Sequence, residues 1–392
     1  MKGGRTNRRG PHTWSSYRKV GGIVSRVRFA AVVGMAAAVF VFVPAVFAWA
    51  GGSFIGPLHH VRVVASTIPA NGDLNPYGVA VVPRSMGSLT KGHILVSNFN
   101  DSANLSGTGT TIVEIGPRGS FRTFASIDAG NLPGTCPGGV GLTTALTVLR
   151  SGWVIVGSLP TTNGMPSTAR AGCLLVLNSD GHVVETISGR PINGPWDMTA
   201  LDFGRTAVLF VTNVLNGTVA AGGDVVNRGT VARVELAIPA TGAPRVFSER
   251  VIGSGFAERT DPGALAVGPT GVGLSPRGTL YVADSVQSRI TAIPNAIFRS
   301  SSAGTGRDVT AGGHLNDPLG LAMAPNGDIL TVNGGNGKIV ETTPGGNQIK
   351  AKFLDRMGAP PGNGALFGLA ITPNAEGVYL VNDGTNKFEL LH

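Results

Sequence analysis

Apolar residues in this chain alternate with small or polar ones in short runs, and the runs recur in pairs. The first member of a pair follows a proline in five places: Pro76-Tyr77-Gly78-Val79-Ala80-Val81, Pro137-Gly138-Gly139-Val140-Gly141-Leu142, Pro195-Trp196-Asp197-Met198-Thr199-Ala200, Pro269-Thr270-Gly271-Val272-Gly273-Leu274 and Pro318-Leu319-Gly320-Leu321-Ala322-Met323. A sixth copy, Leu366-Phe367-Gly368-Leu369-Ala370-Ile371, lacks only the proline. The second member ends in a small polar residue: Ile94 to Asn98, Trp153 to Ser158, Val208 to Asn213, Leu280 to Asp284, Ile329 to Asn333 and Val378 to Asn382. Alternation with period two predicts strands. Turns such as Asn178-Ser179-Asp180-Gly181 and Pro344-Gly345-Gly346-Asn347 carry the residues that hairpins need for positive φ. Six such units predict an all-β fold, a six-bladed β-propeller of four-stranded antiparallel blades.

The expected blades run from Val79 to Ile127, Val140 to Ile187, Met198 to Ile252, Val272 to Thr310 and Leu321 to Leu354. Blades one to three carry insertions between their second and third strands, at 99–109, 159–172 and 213–229. The last blade has strands from Gly368, Val378 and Lys387, and then the chain stops at His392. The segment His60-Val61-Arg62-Val63-Val64-Ala65-Ser66 is an unassigned strand at the other end and supplies the missing outer strand. Such a donation closes the ring and removes an open sheet edge.

Composition fits this picture. Gly (59) and Pro (25) are abundant and charged residues are 14% of the chain, as suits strands punctuated by turns. The net charge of +9 belongs to the first residues. Lys2, Arg5, Arg8, Arg9, Arg18, Lys19, Arg26 and Arg28 precede any acid, and the remaining 23 basic residues face 22 acidic ones. A nucleic-acid footprint on the folded body is therefore not expected. Phe29 to Ala50 has no charge and ends in Ala48-Trp49-Ala50. Residues 1–50 read as a signal peptide or an N-terminal membrane anchor, 51–58 as a linker, and 59–392 as the propeller. The protein is expected outside the cytoplasm, periplasmic or extracellular, as a monomer that meets a membrane only through residues 29–50. Cys136 precedes an innermost strand and Cys173 begins the third strand of the same blade, so a disulfide between them is expected.

Leu280-Tyr281-Val282-Ala283-Asp284-Ser285-Val286-Gln287-Ser288-Arg289-Ile290 closely resembles the core of an NHL repeat, and so does His314 to Leu330. Weaker copies cover Val61 to His392. The resemblance implies a six-bladed NHL-type propeller. Related propellers include calcium- or zinc-dependent lactonases of the SMP-30/gluconolactonase type, streptogramin-type lyases and strictosidine synthase-like proteins. Fold alone does not settle activity among them.

Loops from every blade converge at the tunnel mouth, and the residue after each repeat proline should point there: Tyr77, Gly138, Trp196, Thr270, Leu319 and Phe367. In the lactonase relatives, matching positions supply Asn and Asp ligands. Here only Thr270 has a side-chain oxygen suited even weakly to a cation, and Asp197 and Asp317 are isolated acids in separate blades. No metal and no cofactor is expected on that donor set. No G-x-S-x-G occurs, and no nucleophile–base pair is legible. His314 precedes an inner strand and is the one histidine placed to reach the mouth. The ring Asn98, Ser158, Asn213, Asp284, Asn333, Asn382 recurs in every blade, which favours a turn-capping role. Tyr77, Trp196, Asp197, Thr270, His314, Leu319 and Phe367 are the candidate ligand-binding residues, with packing between blades the competing role for the aromatics. The expected function is a binding or scaffold module for a protein, glycan or small ligand. The alternative is a lactonase-like hydrolase or lyase.

Overall fold

The computed structural model describes residues 52–392. The export segment expected at 1–50 lies outside the described residues. Among those described, no helix is long and apolar enough to cross a membrane.

Six antiparallel sheets form the ring. Blade one holds β2 (Leu74–Val81), β3 (Ile94–Asn100), β4 (Thr111–Ile115) and β5 (Phe121–Ser126). Blade two holds β6 (Leu142–Val148), β7 (Val154–Ser158), β8 (Cys173–Leu177) and β9 (Val183–Ser188). Blade three holds β10 (Pro195–Asp202), β11 (Thr206–Asn213), β12 (Val226–Ala237), β13 (Arg245–Asp261) and a short fifth strand, β14 (Leu265–Val267). Blade four is β15 (Pro269–Leu274), β16 (Leu280–Asp284), β17 (Arg289–Ile293) and β18 (Arg307–Ala311). Blade five is β19 (Pro318–Met323), β20 (Ile329–Asn333), β21 (Lys338–Thr342) and β22 (Gln348–Phe353). Blade six is β23 (Leu366–Ile371), β24 (Val378–Asn382) and β25 (Lys387–Leu391), completed by β1 (Val61–Ser66).

The donated strand is in place. β1 runs antiparallel to β25, pairing Val61 with Leu391 and Ser66 with Lys387 across one bulge. The preceding residues, expected as a linker, are docked instead. Phe54, Ile55 and Leu58 are buried in a cluster with Leu330, Val332, Ile339, Leu366 and Leu380. The Glu341 carboxylate fixes them by accepting from the Ser53 hydroxyl (2.5 Å), Phe54 N (2.6 Å) and Ile55 N (3.0 Å). The physical reason is plain: three large apolar side chains gain more by covering the seam of blades five and six than by staying in water.

The second strands of the blades are buried throughout, save the exposed Thr206 that opens β11, and side chains between neighbouring sheets form the core. Hydroxyls stitch blade to blade near the axis. Ser97 donates to Thr143 O (2.7 Å), Thr212 to Thr270 O (2.7 Å) and Ser285 to Pro318 O (2.7 Å). The repeat glycines have a related cause. A Cβ on Gly271, Gly320 or Gly368 would strike the carbonyl of Leu319, Phe367 or Tyr77 in the next inner strand, so no larger residue fits.

Two expected boundaries move. The inner strand of blade two starts at Leu142, not Val140, because Leu142 pairs with Ser158 as Pro76 pairs with Asn98. Pro137-Gly138-Gly139 belongs to the preceding loop, which the Cys136–Cys173 disulfide ties to β8. Blade three does not end at Ile252; β13 runs on to Asp261 and turns back as β14.

The disulfide closes a loop of 37 residues. Constraining the unfolded chain over such a loop is worth about 3–4 kcal/mol. A C136S/C173S variant should melt several degrees below the wild type in calorimetry. An unchanged melting temperature would show that the β8 hairpin holds this loop without the cross-link.

Candidate functional site at the hairpin-covered mouth

The extension of blade three reshapes the end of the ring where the inner strands begin. The β13–β14 hairpin lays Ala264, Leu265, Ala266 and Val267 into the same buried cluster as Tyr77, Phe99, Trp196, Leu319 and Phe367. Tyr77 stacks between Phe99 and Phe367, at centroid distances of 4.4 and 3.9 Å. Trp196 lies 6.4 Å from Phe367 and donates its indole N–H to Ala266 O at 2.9 Å. The Tyr77 hydroxyl reaches Gly263 O at 3.5 Å. Each ring is at most 2% exposed. The aromatics thus plug the axis and fasten the hairpin; they do not form an open docking face. The other expected residues separate as well. Thr270 is fully buried, sharing hydrogen bonds with Ser285 (2.7 Å) and Pro318 O (2.9 Å). His314 is exposed on the loop before β19, where its backbone N donates to Gln348 Oε1 (2.6 Å) and its carbonyl accepts from Asn333 Nδ2 (2.7 Å). Asp197 lies beneath the plug, on the axial side.

The once-per-blade polar ring is structural. Asn98 donates to Thr67 O, Asn333 to His314 O, and Asn382 to the Asp355 carboxylate, while Asp284 pairs with Arg289 at 2.8 Å.

Beside the plug opens a pocket of about 620 Å³. Its walls come from the blade-three hairpin (Arg259, Asp261), the blade-four turn (Ser285, Ser288), the entrance to β19 (Asn316, Asp317) and the loop before β23 (Asn363), over a floor of Leu319 and Phe367. Asp261 is held firmly. One carboxylate oxygen accepts from Gly263 N (2.9 Å) and Ala264 N (3.0 Å), and the other pairs with Arg259 Nη1 at 2.7 Å. Asp317 differs. Its backbone is pinned by Asp317 N donating to Ser288 Oγ (3.1 Å) and Gly334 N donating to Asp317 O (2.8 Å). It sits at φ 52°, a conformation that non-glycine residues rarely adopt. Its carboxyl makes no side-chain hydrogen bond among the described residues. Burial, reinforced by the Asp261 charge and opposed by Arg259, raises its pKa to about 6. Two neighbouring carboxyls thus differ: Asp261 is clamped by a guanidinium, and Asp317 is displaced toward neutral pH, a pattern found in acid–base sites.

Of these residues only Asp317 was visible beforehand as an acid near the ring. Arg259 and Asp261 had no signal, because nothing in their local sequence says that a strand crosses the mouth.

A divalent metal does not fit where the lactonase resemblance would put it. The inner-strand positions are Tyr77, Thr143, Trp196, Thr270, Leu319 and Phe367, and the polar atoms of Trp196 and Thr270 are already engaged. Among the described residues no group of three His, Cys, Asp or Glu side chains converges. That donor set is too poor for a hard cation.

No protein-family model matches this chain, and no curated protein matches it in sequence. Solved structures do. The PQQ-bound aldose sugar dehydrogenase of Streptomyces coelicolor is 16% identical, with 85% of this chain and 98% of that one covered, at a TM-score of 0.50. The virginiamycin B lyase of Staphylococcus aureus is 14% identical over 84% of this chain and 98% of that one, also at 0.50. A luciferin-regenerating enzyme is 12% identical over 84% and 94%, again at 0.50. At these identities the shared property is the fold.

Proposed function

We propose that this protein is a small-molecule hydrolase or lyase that works by carboxylate acid–base chemistry in the mouth pocket, with Asp317 as the base. The observation that carries the reading is the Asp317 carboxyl, without a hydrogen-bond or ion-pair partner among the described residues, at the wall of an open pocket and flanked by the Arg259–Asp261 pair. Near neutral pH a carboxyl raised to about 6 is mostly ionised yet basic enough to take a proton. In hydrolysis it would take the proton of a water whose oxygen attacks a carbonyl carbon; the leaving oxygen then receives that proton. In elimination it would take the proton α to a carbonyl while the leaving group departs from the β-carbon. Arg259, steadied by Asp261, is placed to balance negative charge that develops on oxygen. Three similar folds belong to proteins named as enzymes of small molecules, which supports the class without supplying a substrate. The blades are of the NHL type on this reading, since the segment resembling that repeat forms the β16–β17 hairpin. The disulfide and the basic, apolar leader favour action outside the cytoplasm.

The test is turnover by the purified protein on a panel of sugar lactones and cyclic esters, followed by pH. We expect activity that rises through about pH 6, where Asp317 ionises, and a loss of roughly 10²–10⁴-fold in kcat for Asp317→Asn. A panel without turnover, or an unimpaired Asp317→Asn protein, would reject the assignment.

A further inference from the structure

The axial space beneath the plug is a second site. A chamber of about 290 Å³ runs along the inner strands of all six blades. Each inner strand is the terminal strand of its sheet, so the edge N–H and C=O groups that the inter-blade hydroxyls and Asp197 leave free face the axis. Burial falls along these strands. β10 is buried over its first four residues and half-buried over its last four, and β19 and β23 fade in the same way. The chamber is therefore closed by the aromatic plug at one end and open at the other.

Two residues in it break the rule of the repeat: Thr144 in blade two, by the register of Leu142 with Ser158, and Asp197 in blade three. Blades one, four, five and six have glycine at the inner position where the next strand crowds in: Gly78, Gly271, Gly320 and Gly368. Blade three has Asp197 there. Its carboxyl bridges to the next blade, accepting from Met198 N (2.8 Å) and Val272 N (3.1 Å). It lines the chamber while only 8% exposed, and among the described residues no other titratable side chain lines that space. Thr144 of the preceding blade lines the same chamber, is 4% exposed, and its buried hydroxyl has no hydrogen-bond partner among the described residues. A buried acid without a countercharge, in a chamber that also holds an unpartnered hydroxyl, is costly as mere structure. A repeat position that departs from its rule at such cost is a candidate for function.

We propose that this chamber binds a small compound ending in a primary ammonium group. An ammonium presents three N–H donors. Asp197 would supply the anionic acceptor, and the Thr144 hydroxyl and a strand-edge carbonyl of the same lining the two neutral ones. A divalent cation would want several carboxylates, and the chamber holds one. The volume corresponds to about ten waters, enough for a short aliphatic amine. Burial raises Asp197 to about 8, so the unliganded group carries a proton at neutral pH. Arrival of a cation reverses that preference, and the proton leaves to solvent as the ion pair forms.

Titration calorimetry with butylamine at neutral pH, in two buffers of different ionisation enthalpy, tests this. Butanol serves as the uncharged control. We expect millimolar or tighter binding of the amine with release of one proton, and no comparable binding of butanol. Asp197→Asn should weaken the amine by an order of magnitude or more. Asp197→Gly restores the ring's own residue, keeps the fold by circular dichroism, and should show the same loss. Asp317→Asn should bind the amine normally, which separates this site from the mouth pocket. Failure of butylamine to bind, equal binding of butanol, or retention of affinity in the folded Asp197→Gly protein would each overturn the proposal.

Discussion

A chain that begins at Thr67, lacking β1 and the segment before it, should not form a stable monomer. Two losses combine. β25 would become a bare edge, with the backbone groups that now face β1 unpaired between Lys387 and Leu391. The pit that holds Phe54, Ile55 and Leu58 would empty, at about 1.5–3 kcal/mol for each large apolar side chain. The Glu341 carboxylate would lose the hydroxyl and two backbone amides that it now accepts from. Those losses together rival the whole stability of an ordinary domain, roughly 5–15 kcal/mol. The expected result is aggregation or the absence of a cooperative melting transition. A synthetic peptide covering residues 52–66, added during refolding, should restore the transition. A truncated chain that melts like the full protein would mean that five complete blades and a three-stranded remnant suffice.

Stability should fall as pH rises from mildly acidic to mildly alkaline, opposite to the usual behaviour of a protein rich in paired carboxylates. Burial raises four groups well above the ordinary carboxyl range: Asp197 to about 8, and Glu258, Asp383 and Glu389 to about 7. For Glu389 the Asp355 charge adds to the burial. Each folded pKa exceeds its unfolded value of about 4. The folded state then binds protons more tightly, so the contribution is full below about pH 4 and is lost as pH climbs through 7 and 8. A tenfold gain in proton affinity on folding is worth about 1.4 kcal/mol, so even a fraction of the four displacements amounts to several kcal/mol. Glu341 works the other way. Burial raises it, but Ser53, Ile55, Phe54 and Asn326 outweigh that and lower it, so its share is lost only in acid. Melting temperatures compared at about pH 5.5 and about pH 9 should be higher at the acidic value, with a shallower slope in Asp197→Gly. A melting temperature that is flat or rises with pH over that interval would contradict the account.

The ring was legible in the sequence because its determinants are local and repeated. A proline, a glycine and an alternating run mark each inner strand, and six copies leave few architectures open. The missing outer strand of the last blade pointed directly to Val61–Ser66. Blade two misled because Pro137-Gly138-Gly139 imitates the repeat while serving a loop, and the true strand carries an extra residue between Leu142 and Leu146. The site was mostly illegible for a different reason. Arg245 to Val267 is a hairpin whose length is unremarkable in one dimension; only packing against Tyr77, Trp196 and Phe367 sends it across the axis. The same aromatics looked like an open mouth because the chain that covers them comes from another part of the sequence.

One blade therefore contributes a distinct wall to an entrance whose other walls come from blades four to six. Arg259, Asp261 and Gly263 come from a single hairpin, whereas the floor beneath belongs to the common ring. Exchanging that hairpin's tip would alter which molecules are admitted and leave the inter-blade stitching untouched. Selectivity and robustness are thus written in separate stretches of chain, and the first is free to drift in evolution without endangering the second.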